Sequence, residues 1–419
     1  MTLLFTRGTV TCLLLVLFAH GALAADLLRA EPESVGMSSE RLARIKPFMQ
    51  HYIDDNKLAG IVTLIARNGK IVHFEKVGKL NSDTGEEIQK DSLFRIYSMT
   101  KPIVSVAAMM LLEEGKLLLD KPVADYLPDF KDTKVLVDGV EVPQSHPFTV
   151  RELMSHQAGL TYGVFSNTPV DKQYRAAKIL GNKDLADMVS ELSKIPLLNQ
   201  PGTKWVYSVS ADVLGRLIEV VSGQPLDEYL ASRLFIPLKM NDTFFEVPKD
   251  KASRFGTNHM LDAETGSLKV IDRPETSAYT KDVTFFSGGG GLVSTAADYL
   301  RFNQMLLNGG ILDGARIISP KTIQIMTTNH LAAEVHSGFG ERPGVASTYG
   351  FGLGFAVLLS PPLTGLGSEG GYTWGGMAGT IFWNDPKEDL TAVLMVQMQS
   401  NPYPLREEFK NLVYQAIVE

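Results

Sequence analysis

The sequence predicts an α+β fold: one antiparallel sheet built by both ends of the chain, flanked by helices, with a helical lobe inserted between. Two observations carry this. Apolar runs of strand length fall at residues 60–66, 70–77, 349–359, 377–384 and 390–397, near the two ends. Helical spacing dominates the middle, at 98–115, 149–156, 184–194, 209–222, 226–235 and 296–308, between loops rich in Pro, Gly and Asp. Two such end segments complete each other most simply as neighbours in one sheet, with the middle packed against it.

Residues 1–24 read as a secretory signal. Arg7 precedes an apolar stretch from Cys12 to Phe18, and Ala22 and Ala24 supply small residues for cleavage after Ala24. The stretch is too short to span a hydrocarbon core of ~30 Å. The expectation is therefore an exported chain, periplasmic or secreted, with no stable membrane insertion after cleavage. Cys12 is the single cysteine, so the mature chain has no disulfide, thiolate metal site or cysteine nucleophile. A formal charge of −7 and the lack of a concentrated Lys/Arg run argue against a nucleic-acid surface. The remaining 25–419 reads as one domain, its sheet part at 25–97 and 310–419 and its lobe at 98–309.

Along the chain, residues 26–40 form an arm rich in Glu, Pro, Gly and Ser. Ser38 or Ser39 then caps a helix running through Leu42, Ile45, Met49 and Ile53. Asn68-Gly69 is a two-residue hairpin turn between the first two strands. Gly288 to Gly291 is either a flexible or a tightly packed backbone. A final helix covers 405–418.

The middle segment opens on Ser98-Met-Thr-Lys101-Pro102, followed by Ile103, Val106, Ala107, Met110 and Leu111 at helical spacing. A helix starting near Ser98 stacks Ser98 and Lys101 on one face, and Pro102 fits only its first turn. A nucleophilic serine needs a nearby base and a field that favours its alkoxide. No histidine falls in a pattern suited to that base; His156 reads as a structural residue after a helix. Gly-x-Ser-x-Gly and His-Glu-x-x-His are absent. Gly365, Gly367 and Gly370 match a dinucleotide fingerprint, yet follow Pro361-Pro362 rather than a strand and read as loop. No metal or cofactor is expected. The base falls to Lys101, helped by Tyr207, which directly precedes a helix; a phenol beside an ammonium has its ionised form favoured. Trp374-Gly375-Gly376 enters the 377–384 strand, where a backbone N–H facing Ser98 completes an oxyanion hole with the N–H of Ser98.

In that order, Ser98-Met-Thr-Lys101, Tyr207-Ser208 and Trp374-Gly-Gly376 resemble the serine β-lactamase and penicillin-binding-protein superfamily. The match is to its class C branch and to the family VIII carboxylesterases in particular. Leu153 to Leu160, Asp212 to Gly223 and Gly290 to Ala297 match too, and the resemblance covers about 35–415. It implies a β-lactamase-like fold with Ser98 as acylated nucleophile, Lys101 and Tyr207 as proton relay, and the N–H groups of Ser98 and Met377 as oxyanion hole. It also places Tyr97, Ser208, Val209, Trp374, Gly375 and Gly376 against substrate; for Trp374, packing beneath the strand is the other reading. Two departures stand out. Trp374-Gly375-Gly376 replaces Lys-Thr-Gly, and Val209 replaces the Asn of Tyr-x-Asn. Both make the cleft more apolar and less anion-seeking, which favours a neutral small-molecule ester. A β-lactamase, a D-aminopeptidase, a D-Ala carboxypeptidase, an acyltransferase and a non-catalytic sensor are the other readings; the oligomeric state is left open.

Overall fold

The computed structural model describes residues 28–338, 348–361 and 365–419; the signal segment lies outside them. Seven strands form one antiparallel sheet: β1 (Gly60–Arg67), β2 (Lys70–Gly78), β3 (Tyr349–Phe351), β4 (Ala356–Leu358), β5 (Tyr372–Gly375), β6 (Ile381–Asp385) and β7 (Leu390–Val396). Their spatial order is β3-β4-β5-β6-β7-β1-β2. The chain ends meet where β1 pairs with β7, from Ile61 opposite Val396 to Arg67 opposite Leu390. At the Asn68-Gly69 turn both residues have positive φ, 51° and 69°, the geometry that matches strand twist.

Period-two alternation sorts β1 between two cores. Val62, Leu64 and Ala66 face the large core, and Ile61 and Ile65 face a smaller one. The smaller core is covered by α1 (Ile45–Asp54) and by the last helix, Leu405–Tyr414. Both sheet faces are thus buried, which is why β1 and β7 read as continuous apolar runs.

The large core holds α2 (Thr100–Glu113), buried on every side from Thr100 to Leu111 apart from marginal exposure at Met110. Ile103, Val106, Met110 and Leu111 each contribute about 1.5–3 kcal/mol by leaving water. Around α2 stand α3 (Val150–Met154), α4 (Pro169–Ala176), α5 (Leu185–Leu192), α6 (Ser210–Ser222) and α7 (Leu226–Leu230). Thr149 starts α3 with a reciprocal cap to Glu152. Helix α8 (Ala296–Leu307) packs on the sheet: Asn303 Nδ2 donates to Thr391 Oγ1 of β7 at 3.1 Å, and Tyr299 meets Phe382 of β6 at 5.0 Å. The last helix, Leu405–Tyr414, is α9.

Several elements differ from expectation. The helix expected through Ser38–Ile53 breaks at Ala43-Arg44 into Ser39–Leu42 and α1. The 349–359 run is two strands, β3 and β4, because Gly352 and Gly354 turn the chain back, Gly354 at φ +92°. The 377–384 strand begins only at Ile381. Gly376 to Thr380 is instead a turn, closed by Gly376 N–H to Thr380 O (2.9 Å) and Gly379 N–H to Gly376 O (3.1 Å). The glycines therefore leave β5, a strand the sequence analysis did not assign, rather than enter β6. Short hairpins at Val135–Val142 and Asn258–Asp272 and helix α4 were also not anticipated.

Two buried groups give the fold opposite responses to pH. Burial lowers His73 to about 4, against ~6.5 when unfolded. Its contribution is full above ~6.5 and is lost as pH falls towards 4. Burial raises Asp298 to about 6, against ~3.9 unfolded. Its contribution is full below ~3.9 and is lost as pH rises through 6. Melting curves between pH 4 and 7 are expected to lose part of their acid-side decline in His73→Gln. In Asp298→Asn the gain over wild type should grow with pH. Curves parallel to wild type in both variants would refute the assignment.

Candidate active site

Ser98 lies in a single 3-10 turn, Tyr97–Met99, ahead of α2 rather than inside it. Tyr97 is held at φ +43°, a conformation an aromatic residue rarely adopts. Its hydroxyl is held in turn: Asn258 Nδ2 and Gln399 Nε2 each donate to Tyr97 Oη at 2.8 Å. Tyr299 Oη donates to Met99 O at 2.9 Å. The strained turn is pinned on both sides of the serine.

Lys101 Nζ donates to Ser98 Oγ at 3.2 Å, and Tyr207 Oη donates to the same oxygen at 2.6 Å. The ammonium also sits 4.6 Å from the Tyr207 ring centroid. Serine, lysine and tyrosine therefore converge as the sequence analysis expected. Lys101 is 2% exposed, so its remaining protons need partners. They find Gly289 O at 2.6 Å and Tyr162 Oη at 3.3 Å.

Neither partner was foreseen. Gly289 belongs to the glycine run, which is tightly packed: a Cβ on Gly288 would lie 2.2 Å from Ala211 O, and one on Gly289 would lie 2.4 Å from Asp212 Oδ2. Asp212, at the start of α6, fixes the loop by accepting from Ser287 Oγ (2.5 Å) and Gly289 N–H (3.0 Å). Burial raises its carboxyl, an effect the Lys101 charge opposes. The four consecutive glycines were the one sequence signal for this wall.

Tyr207 is boxed by aromatics: His156 at 5.0 Å, Tyr162 at 5.3 Å, Trp374 at 5.5 Å and Trp205 at 6.1 Å between centroids. His156 is structural. It is buried at φ +59° with Nδ1 3.1 Å from Ser208 Oγ, and burial, aided by Lys101, holds it well below the ordinary histidine range. That contact corrects one expectation. Ser208 turns inward to His156 and Ser210, and Val209 is fully buried in the large core, so neither faces substrate. The backbone turn into α6 points one residue, Tyr207, at the cleft and the next two away from it.

The site floors a cleft of about 1050 Å³ lined by Tyr97, Ser98, Tyr162, Phe165, Trp205, Tyr207, Phe245, Phe285 and Trp374–Met377 among others. Trp374 both packs on Phe351 (5.3 Å) and walls the cleft. Met377 lies at the rim and is half exposed. Gly376 abuts the backbone two residues before Ser98: a Cβ there would lie 2.5 Å from Ile96 O. The cleft is not free of cations, as the replacement of Lys-Thr-Gly had suggested. Lys183 and Arg406 line it, Arg406 reaching in from α9, distant in sequence from every motif.

Residues 44–415 match the family model described as Beta-lactamase. The chain belongs to the beta-lactamase family. A Mycobacterium tuberculosis relative, Protein Rv1367c, is 34% identical over 355 residues, 82% of this chain and 87% of that one. Esterase EstB of Burkholderia gladioli is 28% identical over 410 residues, 92% and 98% of the two chains. Among solved structures, EstCE1, "a hydrolase with promiscuous acyltransferase activity", superposes with a TM-score of 0.78 at 27% identity, covering 91% of this chain and 99% of that one. This is a β-lactamase-fold serine hydrolase family that includes esterases, acyltransferases and carboxypeptidases.

Proposed function

We propose that this beta-lactamase-family chain is an exported serine carboxylesterase acting on neutral esters of short to medium acyl groups. The observation that carries the reading is the pair of contacts on Ser98 Oγ, from Tyr207 and Lys101, at the floor of an apolar cleft.

In the forward step the Lys101–Tyr207 pair, once it has released one proton to solvent, takes the Ser98 proton as Oγ attacks the ester carbonyl. The N–H groups of Ser98 and Met377 receive the oxyanion, and the pair returns the proton to the departing alkoxide. Water then repeats the sequence in reverse on acyl-Ser98. The two groups touch one hydroxyl, so they serve it as a unit. The cleft exceeds the roughly 300–1,000 Å³ that encloses a drug-sized ligand, leaving room for an alcohol portion much larger than the acyl group. Weak cephalosporin cleavage is compatible with the same nucleophile.

Turnover of p-nitrophenyl butyrate and nitrocefin discriminates the readings. The expected result is an ester kcat/KM at least 100-fold above that of nitrocefin. A nitrocefin efficiency above the ester's would make this a β-lactamase instead. Acyl transfer is the second reading, supported by the likeness to EstCE1, "a hydrolase with promiscuous acyltransferase activity"; a rate gain on adding small alcohols marks it.

A further inference from the structure

Arg406 reaches the cleft from α9, beside the turn that follows β5. Its Nη2 donates to Gly376 O at 2.5 Å and to Thr380 O at 2.9 Å, and its Nε to Gly379 O at 3.3 Å. One guanidinium thus bridges the first and last residues of the turn that carries Met377. It also lies flat on β5: a Cβ on Gly375 would come within 2.9–3.0 Å of three guanidinium atoms. On its other side the turn presses against Ile96 O, two residues before Ser98. The Met377 N–H is therefore held between the segment that leads into the serine's turn and one arginine.

The charge is as informative as the clamp. Among the described residues Arg406 forms no ion pair. Its neighbour Glu408 accepts instead from Tyr52 Oη, and Glu407 points to solvent. A half-buried cation held by carbonyl oxygens, with only the charge of exposed Glu407 acting on it, is costly unless its field is used. Arg406 lines the same cleft as Ser98 and Met377.

We propose that Arg406 is the positioning residue of the oxyanion hole: it fixes the Met377 N–H through three backbone carbonyls and sets positive charge behind the tetrahedral oxygen. The inference rests on the serine-hydrolase reading above. It assigns to α9 the cation that Trp374-Gly375-Gly376 does not supply.

The test compares wild type with Arg406→Met, Arg406→Lys and Gly375→Ala, whose added methyl displaces the guanidinium. In Arg406→Met, kcat for p-nitrophenyl butyrate should fall roughly 30–300-fold with KM within about threefold, the range of a misplaced oxyanion donor. Binding of a phenylboronic acid, whose adduct on Ser98 puts oxygen in the hole, should weaken in parallel. Arg406→Lys keeps the charge but cannot span Gly376 and Thr380, so it should fall in between. A loss of melting temperature with kcat and boronate binding intact would overturn the proposal, as would an effect confined to KM. The rate of Ser98 labelling by a fluorophosphonate gives the same comparison without any ester. If wild type labels and Arg406→Met labels equally fast, Arg406 alone is refuted; if wild type does not label, the serine-hydrolase reading fails with it. Should Arg406→Met not fold, Gly375→Ala and Arg406→Lys decide.

Discussion

Ester turnover in Ser98→Ala should fall by about 10⁴–10⁶-fold, the scale on which loss of a serine nucleophile is felt. The structure makes this a clean deletion. Ser98 Oγ receives Tyr207 Oη and Lys101 Nζ and lines the open cleft, so no packed partner collapses when it goes. Tyr97 keeps its two amide donors and Met99 its bond from Tyr299, so the turn that presents residue 98 persists. Melting temperature should shift by no more than a few degrees, a cost on the order of 1 kcal/mol for one lost hydrogen-bonding group. Intact-mass analysis after a slowly deacylating ester should show one added acyl group on wild type and none on the variant. Retention of more than 1% of the ester turnover would mean that another group attacks.

Lys101→Met should lower kcat by about 10³–10⁴-fold, the upper range for general-base catalysis, while leaving the fold almost as stable. Methionine nearly matches lysine in volume, and α2 buries the stem on all sides. Two stability effects oppose each other. A buried charge no longer has to be desolvated, which favours the variant. Gly289 O loses its 2.6 Å donor, which costs roughly 1–3 kcal/mol. Tyr207→Phe should be severe as well, and the Lys101→Met/Tyr207→Phe double variant should be less than tenfold worse than the poorer single one. Both groups serve one oxygen, and losses within such a unit do not multiply. Multiplicative losses would show that lysine and tyrosine act in separate steps. Thermal melts and stopped-flow acylation rates of the four proteins decide.

The features that were legible share a short range. Asn68-Gly69 announced its turn because φ > 0 at both central positions selects those residues. Lys101 reaches Ser98 because three residues at a helix start bring side chains onto one face. The β1 and β7 runs announced strands because both faces of the sheet are covered. The strand expected at 377–384 starts late because Gly376 and Gly379 form a turn that apolar composition does not reveal. The chain also hid β5, whose Tyr-Thr-Trp run is too short to stand out between glycines.

The site divides the same way. The motifs named Ser98, Lys101 and Tyr207, but residues 207 and 98 are 109 positions apart, and only the packing of α6 against α2 brings the phenol to the hydroxyl. The resemblance placed Ser208 and Val209 against substrate; the core claimed both. The Tyr162 hydroxyl and the Arg406 guanidinium carry no motif, and the glycine run did not show what its Gly289 carbonyl would touch, since each is recruited by position from a different part of the chain. By itself the sequence determined many of the elements and the pairing of Ser98 with a neighbouring amine, because periodicity and turn chemistry act over a few residues. Which wall each remaining group joins was decided by tertiary structure alone, because burying one continuous core fixes distances that no local pattern encodes.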